Sequence, residues 1–135
     1  MEIDRWATRQ VFKVSHRTYR GQECNSRLHI AIAYAGEIQI ELIESISRQK
    51  IYTEFLEGKG EGLHHLGFLI DDYEQAVRDF TANGYPVIQI GRVCRDRGTR
   101  FAYFYTEAAI GSIMEIIAPD EAGQQLFDRI KRGDF

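Results

Sequence analysis

The chain has little cysteine, no long apolar run and no block of charge of one sign. Its 135 residues hold two cysteines, Cys24 and Cys94, and they lack metal-ligand spacing. With no secretory signal ahead of them, they read as two thiols in a reducing cytoplasm rather than a bridge. No apolar stretch approaches the ~20 residues that a bilayer-spanning helix needs, so a membrane helix is not expected. The 17 basic and 20 acidic side chains are interspersed and leave a net charge of −3. That distribution gives no electrostatic footprint for nucleic acid or an anionic membrane, and leaves a small neutral or anionic ligand as the expected partner. At 44% hydrophobic the chain suits one compact domain without a staple, since a protein of about 150 residues buries roughly 70% of the surface its unfolded chain exposes.

Residues 27–34 and 37–43 both alternate apolar and polar, with Leu28, Ile30 and Ile32 on one face of the first and Ile38, Ile40 and Leu42 on one face of the second. Joined at Ala35-Gly36, they predict a hairpin. A short helix is expected over Ile51 to Glu57, closed by Gly58 and Gly60, then a strand from Leu63 to Ile70. Asp71 or Asp72 caps the next helix, where Tyr73, Ala76, Val77 and Phe80 recur at helical spacing before Asn83-Gly84 and Pro86 end the run. Strands follow over Val87 to Val93 and Thr99 to Thr106, separated by the charged loop Arg95-Asp96-Arg97-Gly98. A turn at Glu107 to Gly111 leads to a last strand, Ser112 to Ala118, and Gln124 to Arg132 reads as a C-terminal helix.

The second half thus runs strand, helix, strand, strand, strand, and the first half ends on the same final hairpin, which points to an internal repeat. Setting Glu41-Leu42-Ile43 on Glu115-Ile116-Ile117 gives an offset of 74 positions, which places Trp6 opposite Phe80. Glu2 to Arg9 is then expected to be the remnant of a first helix, and the mate of His65 would lie before Met1.

Side chains alternate across a strand. Glu41, together with Gln39, therefore points away from Ile38, Ile40 and Leu42. His65 shares a face with Gly67 and Leu69, and His64 sides with Leu66, Phe68 and Ile70. If helices cover the apolar face, Glu41, His65 and Glu115 meet on the concave one. One imidazole and two carboxylates suit a single divalent ion such as Zn, Mn, Co, Ni or Fe. Isolated carboxylates among Ile and Leu are hard to place in a core, because a buried charge needs a partner. His16 and His29 are expected to be structural, and the Arg92, Arg95, Arg97 and Arg100 cluster a solvated loop.

Gly62-Leu63-His64-His65-Leu66-Gly67-Phe68, Asp71-Asp72 and the Glu41 and Glu115 strands together resemble the vicinal oxygen chelate superfamily. That group comprises glyoxalases, extradiol dioxygenases, methylmalonyl-CoA epimerases and bleomycin-resistance proteins, and the likeness is greatest to the epimerase and glyoxalase-like branch. The resemblance runs from Trp6 to about Ala118. It implies an α+β fold of two βαβββ modules, the first truncated at its N-terminus, forming a curved mixed sheet cup with helices on the outside. On this scheme residues 1–58 are the truncated first module, 59–119 the complete second one and 120–135 the C-terminal helix.

The resemblance also implies that His65, Glu41 and Glu115 are metal ligands, that Glu41 or Glu115 is the catalytic base, and that a fourth ligand on the first strand has no counterpart. Tyr103, Tyr105 and Gln39 are expected to line the cup. The implied activity is a metal-dependent lyase or isomerase that shifts a proton next to a carbonyl. The alternative is a metal-free protein of the bleomycin-resistance type that sequesters a small molecule. Either is expected to be cytoplasmic and homodimeric, with the partner subunit, or the segment Gln10 to Val14, covering the open sheet edge.

Overall fold

The computed structural model describes residues 3, 5–9, 14–24, 27–46, 50–93 and 98–135. In chain order its elements are β1 (Ala7–Arg9), β2 (Val14–Tyr19), β3 (Gln22–Glu23), β4 (Leu28–Ala35), β5 (Ile38–Ser45), α1 (Lys50–Lys59), β6 (His65–Leu69), α2 (Tyr73–Ala82), β7 (Val87–Val93), β8 (Arg100–Phe104), α3 (Glu107–Ile110), β9 (Ile113–Ala118) and α4 (Glu121–Lys131). They form a mixed α+β structure with two curved sheets, ordered β1-β4-β5 and β3-β2-β7-β8-β9-β6.

The β4–β5 hairpin forms as the alternation predicts, Leu28 facing Ser45 and Ala35 facing Ile38. Gly36 sits at φ 63° in its turn, a conformation that costs glycine nothing. The expectation for Glu2 to Arg9 is corrected. Ala7, Thr8 and Arg9 pair antiparallel with Ile32, Ala31 and Ile30, so this stretch satisfies its backbone as a third strand and not as a helix. The apolar spacing between Trp6 and Phe80 carried no helical period of its own.

In the second sheet β6 runs parallel to β9, with α2 as part of the crossover, while β7, β8 and β9 are antiparallel neighbours. Asp72 caps α2 by accepting from Gln75 N at 3.0 Å. The stripe Tyr73, Ala76, Val77 and Phe80 then packs on Ala102, Phe104 and Ile116, with the Phe80 and Phe104 rings stacked at 4.3 Å. The outer face of the first sheet has no such helix among the described residues: Ile38 is 69% exposed and Leu42 58%. Of the segment Gln10 to Val14, residues 10–13 lie outside the described residues. Val14 opens β2, which pairs with β7 at the edge away from β6.

On the concave side Tyr19, Leu28, Tyr52, Phe101 and Tyr103 make the core. Here α4 lies across the cup and does not join α2 on the outside: Gly123, Leu126 and Phe127 of α4 and Phe101 of β8 line one cavity. Its first turn is pinned by Asp120, which accepts from Gly123 N at 2.9 Å and from Thr99 Oγ1 at 3.1 Å. The approach is close, since a Cβ on Gly123 would come within 2.0 Å of Thr99 Oγ1. Gly123→Ala should therefore cost about 1–3 kcal/mol through overpacking, and adding Thr99→Ala should recover most of the loss. Urea denaturation of the single and double variants checks this.

Candidate active site

The concave side of the second sheet carries one cross-strand row: Gln89 faces Tyr103, Tyr103 faces Glu115, and Glu115 faces Gly67. Side chains directly opposite one another across a ladder share a face, so the row aims Tyr103 and Glu115 into the cup. Gly67 makes space for this, because a Cβ there would stand 3.2 Å from Glu115 Oε2. His65, two residues earlier on β6, shares that face. From the other sheet, Glu41 of β5 faces Ile32 of β4 and points inward with it.

The three groups meet. His65 Nε2 lies 3.2 Å from Glu115 Oε2 and 4.0 Å from Glu41 Oε2. The side chains of His65 and Glu115 are 10% and 8% exposed, that of Glu41 24%. Both carboxylates line a cavity of about 380 Å³ between the sheets and α4, and His65 contacts them without being part of its lining. As placed, they form a hydrogen-bonded cluster: among the described residues no three His, Cys, Asp or Glu side chains stand at a spacing that encloses an ion.

Electrostatics sets the protons. Burial pushes the Glu41 carboxyl up to about 7, with the Glu115 charge adding to the rise and His65 opposing it. For His65, burial alone would lower its affinity for a proton, but the Glu115 hydrogen bond and the charges of Glu115 and Glu41 outweigh it, so the net shift is upward. His64 goes the other way, down to about 4, through burial and then the His65 charge.

The hydrogen bonds fix the tautomers. His64 Nε2 lies 3.3 Å from the Ile51 carbonyl, which only accepts, so Nε2 carries the proton and Nδ1 accepts. His65 Nδ1, 3.0 Å away, is then the donor to it. His65 Nε2 is left facing a carboxylate, and holding that contact as a hydrogen bond requires a proton there. His64 thus orients His65 while its own ring packs against Tyr52 and Phe55 at 4.7 and 5.0 Å.

Tyr103 is 4% exposed and lines the cavity, its hydroxyl 3.0 Å from that of Tyr52. Gln39 and Tyr105 do not line it. Gln39 Nε2 donates to the Tyr34 hydroxyl at 2.7 Å, and Tyr105 lies past the end of β8, its hydroxyl accepting from Arg20 Nε at 2.8 Å. Arg100 pairs with Glu74 and sits 4.4 Å over the Tyr73 ring, while Cys94, Arg95, Asp96 and Arg97 lie outside the described residues. His29 Nδ1 lies 2.9 Å from its cross-strand partner Glu44. For His16 only the backbone, in β2, is described. The cavity also holds Arg17, Tyr52, Leu126 and Phe127, residues with no pattern in the sequence that would mark them.

The pattern of the Glyoxalase/Bleomycin resistance protein/Dioxygenase superfamily matches residues 3–103. The chain belongs to this superfamily. It is similar to the uncharacterized protein YqjC of Bacillus subtilis (strain 168), 26% identical over 93 residues, which are 69% of this chain and 66% of that protein. The chain therefore matches just under two thirds of that relative's length. A hypothetical protein from Bacillus halodurans C-125 superposes with a TM-score of 0.57 at 28% identity, covering 70% of this chain and 68% of that one. Methylmalonyl-CoA epimerase in complex with methylmalonyl-CoA and NH4+ gives a TM-score of 0.56 at 20% identity over 83% and 80% of the two chains. At that identity the likeness shows the shared fold.

Because the folded Glu41 carboxyl binds its proton more tightly than in the unfolded chain, its contribution to stability is fully present below about pH 4.5 and is lost as pH rises through about 7. Glu41→Gln should remove this loss. The stability difference between variant and native chain should move in favour of the variant by on the order of 3 kcal/mol between pH 4 and pH 8, at about 1.4 kcal/mol per pKa unit, in urea melts at the two pH values.

Proposed function

We propose that this superfamily member is an enzyme that shifts a proton next to the carbonyl of a small molecule held in the cavity, with Glu41 as the base. The observation that carries the reading is the asymmetry of the two carboxylates. Glu115 is hydrogen-bonded to His65 and nearly sealed, while Glu41 is the more open to the cavity and holds its proton to about pH 7. A base poised near the working pH is the efficient one, because it is substantially ionised yet still basic. His65, whose proton affinity Glu115 raises, stands 4.0 Å from Glu41 and favours its carboxylate form. The Tyr52 and Tyr103 hydroxyls share one hydrogen bond between them, so one O–H proton remains to be donated to a developing enolate oxygen.

The donor set fits a divalent ion in chemistry and charge. It offers an imidazole and two carboxylates, of which Glu41 is held toward its neutral form by burial and then by the other's charge. His65 and Glu115 would hold the ion with Glu41 beside them, and a bound ion would polarise a substrate carbonyl as a Lewis acid. An epimerase of the same fold binds methylmalonyl-CoA, which supports an acyl substrate with an acidic α-hydrogen. The largely apolar lining, including Leu28, Ile30, Ile43 and Phe127, favours the second reading, a binding protein that sequesters its ligand.

Deuterium uptake from D2O into enolisable ketones and acyl thioesters, methylmalonyl-CoA among them, separates the two. Measured with and without added Zn2+, Mn2+ or Co2+, the native chain should accelerate exchange, and Glu41→Gln should lower the rate by about 10²–10⁴-fold, the usual weight of a general base. Binding without exchange would leave only sequestration. A homodimer belongs to the same reading, supported by the uncovered Ile38 and Leu42. Sedimentation at micromolar concentration should give twice the 15.6 kDa of the chain, and a strict monomer would overturn that part.

A further inference from the structure

Floor and walls of the cavity differ in chemistry. At the floor Glu41 and Glu115 share one imidazole, His65, at 4.0 and 3.2 Å. A base must be ionised to take a proton, and with Glu41 ionised even a protonated His65 leaves the three groups with an excess of negative charge. The guanidinium groups of the lining belong elsewhere. Arg17 stands on β2, with β7 and β8 between it and Glu115 on β9, and is already engaged within the fold. Arg129 on α4 donates through Nε to the Asp134 carbonyl at 3.3 Å. The walls are otherwise largely apolar, with Leu28, Ile30 and Ile43 from the first sheet, Phe101 from the second and Phe127 from α4. That helix covers the cavity and is held near both ends. Thr99 donates to Asp120 at its start. At its last turn Ile130 is buried and Lys131 Nζ donates to Glu37 in the β4–β5 turn at 2.5 Å, and just beyond it the Gly133 carbonyl accepts from Arg5 Nη1 at 3.4 Å.

We propose that the ligand is a compact, uncharged carbonyl compound enclosed whole in this cavity, with no carboxylate on the carbon that loses its proton and with an aryl or branched alkyl body against Phe101 and Phe127. The proposal rests on the reading of Glu41 as the base. In that step the C–H bond next to the carbonyl breaks, its proton passes to the Glu41 carboxylate and the electron pair moves to the carbonyl oxygen; return of a proton to carbon completes the shift. A carboxylate on the same carbon would be a third anion beside one imidazole, in a setting that weakens repulsion less than water does. An apolar body gains in proportion to the apolar area it removes from water. At about 380 Å³ the cavity lies at the small end of the roughly 300–1,000 Å³ usual for ligand sites. That suits a free molecule, and a carrier arm adds length for which the enclosed volume has no room. The class therefore departs from methylmalonyl-CoA, which an epimerase of the same fold binds.

The test titrates probes calorimetrically into the native chain at pH 8 with a chelator present, so that no divalent ion offsets the charge of the floor. 2-Benzylmalonamide should bind at least ten-fold more tightly than 2-benzylmalonamate, which carries a carboxylate in place of one amide, and Glu41→Gln should remove most of that preference. S-methyl 3-phenylpropanethioate should bind at least ten-fold more tightly than the same acyl group on pantetheine, and Phe127→Ala should weaken it at least five-fold. Equal or tighter binding of the malonamate by the native chain overturns the exclusion of a carboxylate, and a preference that persists in Glu41→Gln overturns the role given to charge. Equal or tighter binding of the pantetheine thioester overturns the enclosure, and unchanged affinity in Phe127→Ala overturns the placement of the apolar body. The comparisons between probes on the native chain decide the class even where a variant fails to fold. Deuterium uptake from D2O into the S-methyl thioester separates the class from the reaction. If the preferences hold and no deuterium enters, the base assignment fails and the ligand class stands; if deuterium enters and the preferences are absent, the class fails and the base assignment stands.

Discussion

Two carboxylates from two different sheets face one imidazole across the floor of the cup, and much of the site follows from keeping that arrangement in place. Glu115 is nearly sealed, and an unpaired buried carboxylate would be strongly destabilising; His65 at 3.2 Å is its partner, its own proton affinity raised by that contact. The pairing is possible because β6 and β9 run parallel in register, with Gly67 opposite Glu115. A side chain at position 67 would crowd Oε2. His64 holds the far nitrogen of the ring, so His65 is fixed from both ends. Glu41 then arrives from β5 as a second buried carboxylate, and its proton affinity rises through burial and, after that, the Glu115 charge.

The cavity in front of this cluster depends on α4. The two sheets alone would leave the concave face open. The Asp120 cap and the close contact of Gly123 with Thr99 hold the helix over it, bringing Leu126 and Phe127 onto the lining.

Much of the architecture was legible because the hydrophobic period is clean where one face is buried. The stripe Tyr73, Ala76, Val77, Phe80 has one buried side and was read correctly, and the alternation at residues 27–34 and 37–43 gave the hairpin, although Ile38 and Leu42 of its second strand stay exposed. The reading of residues 2–9 as a helix failed because it rested on an offset rather than a period, and three residues paired to β4 make a strand without any strong local signal. Glu41, His65 and Glu115 stood out as polar side chains among Ile and Leu. Tyr105 and Gln39 were drawn in by strand alternation alone. Tyr105 falls one residue beyond β8, and Gln39 found a nearer partner in the Tyr34 hydroxyl. Arg17 had no signal, since the segment Val14–Tyr19 is mostly polar and shows no face until it is laid beside β7.

The sequence by itself determined the superfamily, the order of most strands and helices, and the three titratable side chains that the fold gathers, because these are written in periodicity and in residue type. Only the tertiary structure decided the rest. Which carboxylate is sealed against His65 and which opens to the cavity depends on distances across two sheets. The proton arrangement of His64 and His65 depends on the Ile51 carbonyl, and the charge of the wall depends on Arg17 from a strand that pairs at the far side of β7. Each is a contact between residues distant in the chain, whose strength is set by burial and by separations of a few ångströms, and neither quantity exists until the chain has folded.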